Sequence, residues 1–167
     1  MLDENKDVVR RFFAEVINAP NPDRADAFVT VDYVEHQHLP GTEGRQGIEI
    51  ARAFLSMMRS AFPDYRFDIE DLVAEGDMVA ARLTVSGTHA GEMMGLAPTG
   101  KHVRTSGIEM FRLEAGKLAE HWATFDALGM LRQIGLRPIP SPALLVHTLV
   151  HHAWKRLPTA RTKSAAR

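Results

Sequence analysis

The sequence predicts an α+β fold in which N-terminal helices pack on one face of a curved antiparallel sheet. Three observations carry this. Up to Phe62 the apolar residues recur at helical spacing. From Tyr65 onward they alternate with period two, the signature of half-buried strands. The turns Gly76-Asp77 and Glu114-Ala115-Gly116 join the alternating runs as short hairpins.

Asp3 is placed to cap a helix in which Val8, Phe12 and Val16, with Val9, Phe13 and Ile17, repeat at i+4. Asn18-Ala19-Pro20-Asn21-Pro22 ends it, since proline cannot continue the helical ladder. A short second helix is expected over Ala25–Val29 and a short strand over Tyr33–His38, broken by Leu39-Pro40-Gly41. Gly47–Phe62 reads as a third helix, with Ile48, Ala51, Leu55, Met58 and Phe62 on one stripe and Pro63-Asp64 as its stop. Tyr65, Phe67 and Ile69 form one face of the next strand, and Val79, Ala81, Leu83 and Val85 that of the strand after it. Two further strands flank Glu114-Ala115-Gly116. The second ends at Asp126, read as the N-cap of a short helix containing Leu128 and Leu131.

Pro138, Pro140 and Pro142 divide the chain into a domain over residues 1–136 and an extension over 137–167, comprising a Pro-rich linker, a helix over Ala143–Arg156 and a basic tail. No acidic residue follows Asp126, whereas Arg132, Arg137, Lys155, Arg156, Arg161, Lys163 and Arg167 do. A solvated terminus accounts for this without a binding arm.

Composition excludes several classes. The 167 residues contain no Cys, which removes disulfides and thiolate metal sites. A net charge of −1 gives no overall field for nucleic acid. No apolar run reaches membrane-spanning length and no signal-peptide core opens the chain, so a cytoplasmic protein is expected.

The hairpin carries the candidate chemistry. Glu109 falls on the apolar side of its strand with Val103, Phe111 and Leu113, while Arg104, Ser106 and Arg112 point the other way. A carboxylate on such a face is expected to have a raised pKa, which suits a general base. His121 shares a face with Ala119, Ala123 and Phe125. If Gly116 takes a left-handed bulge position, Leu113 faces Lys117 and Glu109 lies opposite His121, within cross-strand reach. The pair would then be the acid/base unit of a cofactor-independent enzyme that abstracts a proton alpha to a carbonyl and closes a ring on, or isomerises, a small apolar substrate. Tyr33 and His36 or His38 are expected to orient a polar group of a substrate. Phe54, Met58, Met94, Phe111, Ala123 and Phe125 are expected as apolar walls, Met being an adaptable one. Asp126 is weighed for catalysis and given the N-cap instead. The His36-x-His38 pair with Glu109 and His121 is weighed as a metal set and not adopted. Ile108, Met110 and Trp122 would face water on the far side of the sheet, which predicts a homodimer.

An ordered set of motifs runs through the domain: Tyr33-Val34-Glu35-His36, Ala61-Phe62-Pro63-Asp64, Glu75-Gly76-Asp77, Gly87-Thr88-His89-Ala90-Gly91, Pro98-Thr99-Gly100, Glu120-His121-Trp122 and Gln133-Ile134-Gly135. With it the chain resembles the SnoaL-like polyketide cyclases, or ester cyclases, of the nuclear transport factor 2-like superfamily. The resemblance implies a cone-shaped α+β domain with an internal pocket for a small apolar carbonyl compound. It also implies intramolecular aldol ring closure without metal or cofactor. There a carboxylate removes a proton alpha to a carbonyl and the pocket holds the enolate. In that family an aspartate directly follows the Trp of the His-Trp stretch. Here Ala123 follows Trp122. Two other readings therefore stand beside cyclisation: hydrolytic epoxide opening, which would need Arg82 or Arg104 inside the pocket, and a small-molecule-binding module without catalysis.

Overall fold

A computed structural model describes residues 2–19, 24–37, 42, 44–93, 95–136 and 146–147. The chain divides into two compact units, Met1–Leu136 and Arg137–Arg167. The readings placed on His38, Met94, the Pro-rich linker and the tail lie outside the described residues, as does the helix read over residues 143–156 apart from Val146 and His147.

Helix α1 (Leu2–Phe12) continues into a π-turn over Phe13–Ile17. Asp3 sits inside the first turn and pairs with Lys6 at 2.7 Å, so it is not the cap that its position suggested. The wider turn closes with Asn18 N donating to Phe13 O at 2.8 Å. It keeps Phe12, Phe13, Val16 and Ile17 all buried, as the i+4 repeats require. Helix α2 (Ala25–Phe28) leads directly into β1 (Val29–Glu35), and α3 spans Ile48–Ala61. Strands β2 (Arg66–Glu75), β3 (Met78–Thr88), β4 (His102–Glu114) and β5 (Lys117–Phe125) follow, and α4 (Ala127–Ile134) closes the unit.

The five strands lie in the order β1-β5-β4-β3-β2. Strands β2 to β5 form an antiparallel meander, while β1 joins β5 in parallel. The sheet is therefore mixed, which corrects the all-antiparallel expectation. The core lies between its inner face and the N-terminal helices. Phe13 meets Phe111 edge-on at 6.0 Å, and Phe12 meets Phe28 and Phe111 at 6.1 Å. Such aromatic contacts contribute about 0.5–1.5 kcal/mol each beyond the area they bury.

Several family motifs tie elements together. Asp64, at the end of α3, accepts from Thr88 N at 2.6 Å and from Thr88 Oγ1 at 2.7 Å. Buried His89 meets Thr99 Oγ1 through Nδ1 at 3.1 Å. Gly91 lies so close to α3 that a Cβ would fall 1.9 Å from Ser60 O, so no other residue fits without a backbone shift.

The turn between β4 and β5 sets which side chains face the core. Ala115 (φ 49°) and Gly116 (φ 76°) are both in the left-handed region, the pattern of a two-residue type I′ turn, and Glu114 pairs with Lys117. That register alone would put Trp122, not His121, on the inner face. A bulge restores the parity: Leu113 pairs with Leu118, whereas Arg112 pairs with Glu120, leaving Ala119 as the extra residue. Leu118 and Ala119 are consequently both buried.

Candidate functional site

The bulge places His121 opposite Phe111, and Glu109 opposite Ala123. This corrects the expected direct pairing of Glu109 with His121. The two still meet, because diagonal neighbours on one face of an antiparallel pair lie within side-chain reach. His121 Nε2 is 3.3 Å from Glu109 Oε2, and the imidazole stacks on Phe111 with ring centroids 4.8 Å apart. The ring N–H is not aligned with the carboxylate, and Nε2 has no hydrogen-bond partner although it is buried.

The other side of the imidazole meets β1. Glu35 pairs with His121 in the parallel register, so both side chains project from the same face. His121 Nδ1 donates to Glu35 Oε2 at 2.7 Å. Tyr33, two residues earlier on the same face, donates its hydroxyl to the same oxygen at 2.9 Å, and Gln37 N donates to Oε1 at 3.0 Å. The Glu35 side chain is 4% exposed, that of Glu109 8% and that of His121 13%.

Charge follows from this packing. Burial by itself would lower the His121 pKa, but the Glu109 and Glu35 carboxylates outweigh it, and the imidazole is pushed from 6.5 up to about 9. Burial would raise the Glu35 pKa. The hydrogen bond and charge of His121, with the donors Gln37 N and Tyr33, hold it below the usual value instead. Burial, then the neighbouring Glu35, lifts Tyr33 well above the normal phenol range. The His121 imidazole is thus held toward its protonated form between the Glu35 and Glu109 side chains.

These groups line a cavity of about 40 Å³ between the sheet and the helices. Its polar lining is Tyr33, Glu35, Gln37, Glu109 and His121, and its apolar walls include Phe12, Phe54, Leu55, Phe111 and Phe125. Of the residues singled out from sequence, Tyr33, Phe54, Glu109, Phe111, His121 and Phe125 thus converge. Ala123, expected as a wall, is not part of this lining: it lies against Glu109 in the ladder, and its carbonyl accepts from Gln37 Nε2.

Others are elsewhere. His36 follows the end of β1 and turns to the outer face of the sheet. Its Nε2 meets Glu120 Oε2 at 2.7 Å and its ring stacks on Trp122 at 4.3 Å. It cannot orient a group in the cavity or join a metal set with Glu109 and His121. Among the described residues no group of His, Asp and Glu is arranged to hold a metal ion. Met58 lines a separate crevice beside Phe62 and Tyr65, so it is no wall of the site. Asp126 accepts from Gly129 N at 2.8 Å and is the N-cap of α4. Arg82 pairs with Asp71 and Arg104 reaches Thr84, both away from the cavity, which removes the guanidinium that epoxide opening would need. Among the described residues no helix is long and apolar enough to cross a membrane.

Glu35 and Gln37 are the residues that sequence reasoning missed. Strand alternation gives Glu35 and Gln37 the parity of Tyr33 and gives His36 the opposite one. That signal was present in the sequence.

The sequence profile of the SnoaL-like polyketide cyclases matches residues 7–134, which include every strand and the whole Glu35–His121–Glu109 constellation. The chain belongs to the SnoaL-like polyketide cyclase family. Among characterised members, it is 30% identical over 138 residues to the aklanonic acid methyl ester cyclase DnrD of Streptomyces peucetius, covering 81% of this chain and 93% of that one. The structure of TsrD from Streptomyces laurentii superposes with a TM-score of 0.71 at 31% identity, covering 80% of this chain and 96% of the other. That of IdmH from Streptomyces antibioticus gives 0.67 at 31% identity, covering 79% and 99%. Ala123, where the resemblance implies an aspartate, is the direct cross-strand neighbour of Glu109.

Proposed function

We propose that the protein closes a ring on a small polyketide-type ester by an intramolecular aldol reaction, with Glu109 as the base and His121 as the acid. The single observation that carries this is the convergence of Glu109 and His121, 3.3 Å apart, in a cavity walled largely by apolar and aromatic side chains. The Glu109 carboxylate takes a proton from the carbon alpha to the ester carbonyl. The enolate oxygen that forms accepts the His121 Nε2–H, whose positive charge is worth most where water is excluded. The enolate carbon then bonds to a ketone carbon of the same molecule, and the new alkoxide takes back the proton held on Glu109. Proton count and mass are unchanged, and the reading assigns no cofactor.

In this account Glu109 stands in for the aspartate that Ala123 replaces, since both positions face the same space. Small-molecule sites span roughly 300–1,000 Å³, so a polycyclic substrate requires the cavity to widen. The partly exposed rings of Phe54 and Phe125 are the walls that would move, and the sheet and N-terminal helices would close around the substrate as a cone. The outer face of the sheet, with Ile108 49% and Met110 41% exposed, would pair two copies into a dimer, a state that sedimentation at micromolar concentration detects.

The test is incubation of the purified chain with aklanonic acid methyl ester, for which the DnrD relative is named, and with nogalonic acid methyl ester, for which a 27% identical cyclase of Streptomyces nogalater is named. Ring closure yields a product of unchanged mass and altered retention and absorbance. Absence of turnover on both, with tight binding of either, would favour the second reading, a binding module, which Ala123 supports.

A further inference from the structure

Glu35 has no place in the proton transfers above, yet it is the least exposed carboxylate of the site and the one with the most partners. Its two oxygens accept three hydrogen bonds, from Tyr33 Oη, Gln37 N and His121 Nδ1. A carboxylate with this set of donors is fixed in position and in charge. The ring nitrogen that it binds is Nδ1, so the other nitrogen, Nε2, is the one turned toward Glu109 and the cavity. That nitrogen is buried, and its N–H is not aligned with Glu109 Oε2, its ion-pair partner at 3.3 Å. A buried charged donor without an aligned acceptor is rare, so its direction marks where an acceptor is meant to sit.

We infer that Glu35 is a positioning residue: through Nδ1 it fixes the ring plane of His121 and holds it as a two-proton imidazolium whose Nε2–H is presented to an oxyanion in the cavity. This rests on the cyclase reading and adds the part that Glu109 cannot supply. A single carboxylate near Nε2 would draw the imidazolium proton toward itself. The second carboxylate, on the far side of the ring, keeps the cation in place when Glu109 has accepted a proton from substrate and is no longer charged. The groups facing the imidazole are Glu35 and Tyr33 from β1 and Glu109 from β4. The residues that α1 and α3 contribute to the cavity, such as Phe12, Ala51 and Leu55, carry no charge. The raised His121 pKa is consistent with this arrangement.

The test is a pH titration of the protein labelled in its histidine rings, followed by NMR. The chain has 8 histidines, and the His121 signals are assigned as those lost in His121→Gln. In the wild type the His121 ring carries protons on both nitrogens through neutral pH and titrates near 9. Glu35→Gln keeps an acceptor for Nδ1 but removes the charge, so the titration moves down by about one to three pH units. Glu35→Asp restores most of it. The proposal is overturned if wild-type His121 titrates in the ordinary range near 6.5, or if Glu35→Gln leaves the titration where it was. The wild-type measurement needs no variant to fold. None of these readouts involves a substrate. A high titration without ring closure would therefore remove the cyclase reading alone, and ring closure with an ordinary titration would remove this one alone.

Discussion

Glu109 on β4 and Ala123 on β5 face each other directly across the ladder, so their side chains leave the same face of the sheet side by side. Position 123 is where the family resemblance implies an acid/base aspartate, so the alanine leaves room beside a carboxylate supplied by the neighbouring strand.

Ala123→Asp should consequently lower stability at neutral pH. It would set a third carboxylate beside Glu109 and Glu35 with only the His121 cation to balance them. One carboxyl must then have a raised pKa in the folded state. A group whose folded pKa is raised binds protons more readily when folded, so acid favours the native protein and the loss shrinks as pH falls toward about 5. Thermal midpoints of both forms across that range check this. A difference that does not vary with pH would mean that position 123 does not share space with the carboxylates.

The wild-type protein should lose stability on the alkaline side. The His121 pKa rises from 6.5 to about 9 on folding, so its contribution is complete below 6.5 and disappears as pH climbs through about 9. Glu35 has the opposite sign: its folded pKa is lowered, and its contribution is lost in acid. Urea midpoints measured from about pH 5 to about pH 10 should fall over the upper half of that range, and His121→Gln should flatten the fall. A midpoint that climbs between neutrality and pH 9 would contradict the charge assignment.

His36→Ala should leave turnover unaltered. Its partners, Glu120 at 2.7 Å and the Trp122 ring, are on the outer face of the sheet. A solvent-screened pair at the surface contributes little, so the loss is confined to a small shift in thermal midpoint. A marked loss of turnover with an intact midpoint would place His36 back in the site.

The helices, the meander and the identity of the inward residues on β4 were legible in the sequence, because period and turn chemistry are local. Asp126 as a cap was legible for the same reason. The pairing of β1 was not. Glu35 and His121 are 86 residues apart, and nothing in Val29–Glu35 indicates that it lies parallel to β5. Without that partner Glu35 read as part of a motif and His36 as the polar residue to watch. The bulge at Ala119 was also invisible. The expected hairpin and the observed one differ in turn and register yet agree in parity, so His121 came out on the correct face for a different reason.

The measurement that bears most directly on the account is the turnover of Glu109→Gln on whichever methyl ester the wild type cyclises, with the thermal midpoint recorded alongside. The substitution keeps size and hydrogen bonding and removes the base. Turnover should fall on the order of 100-fold while the protein stays folded. Wild-type turnover in a folded Glu109→Gln protein would contradict the account, since among the described residues the other carboxylate at the cavity, Glu35, is already committed to His121 Nδ1.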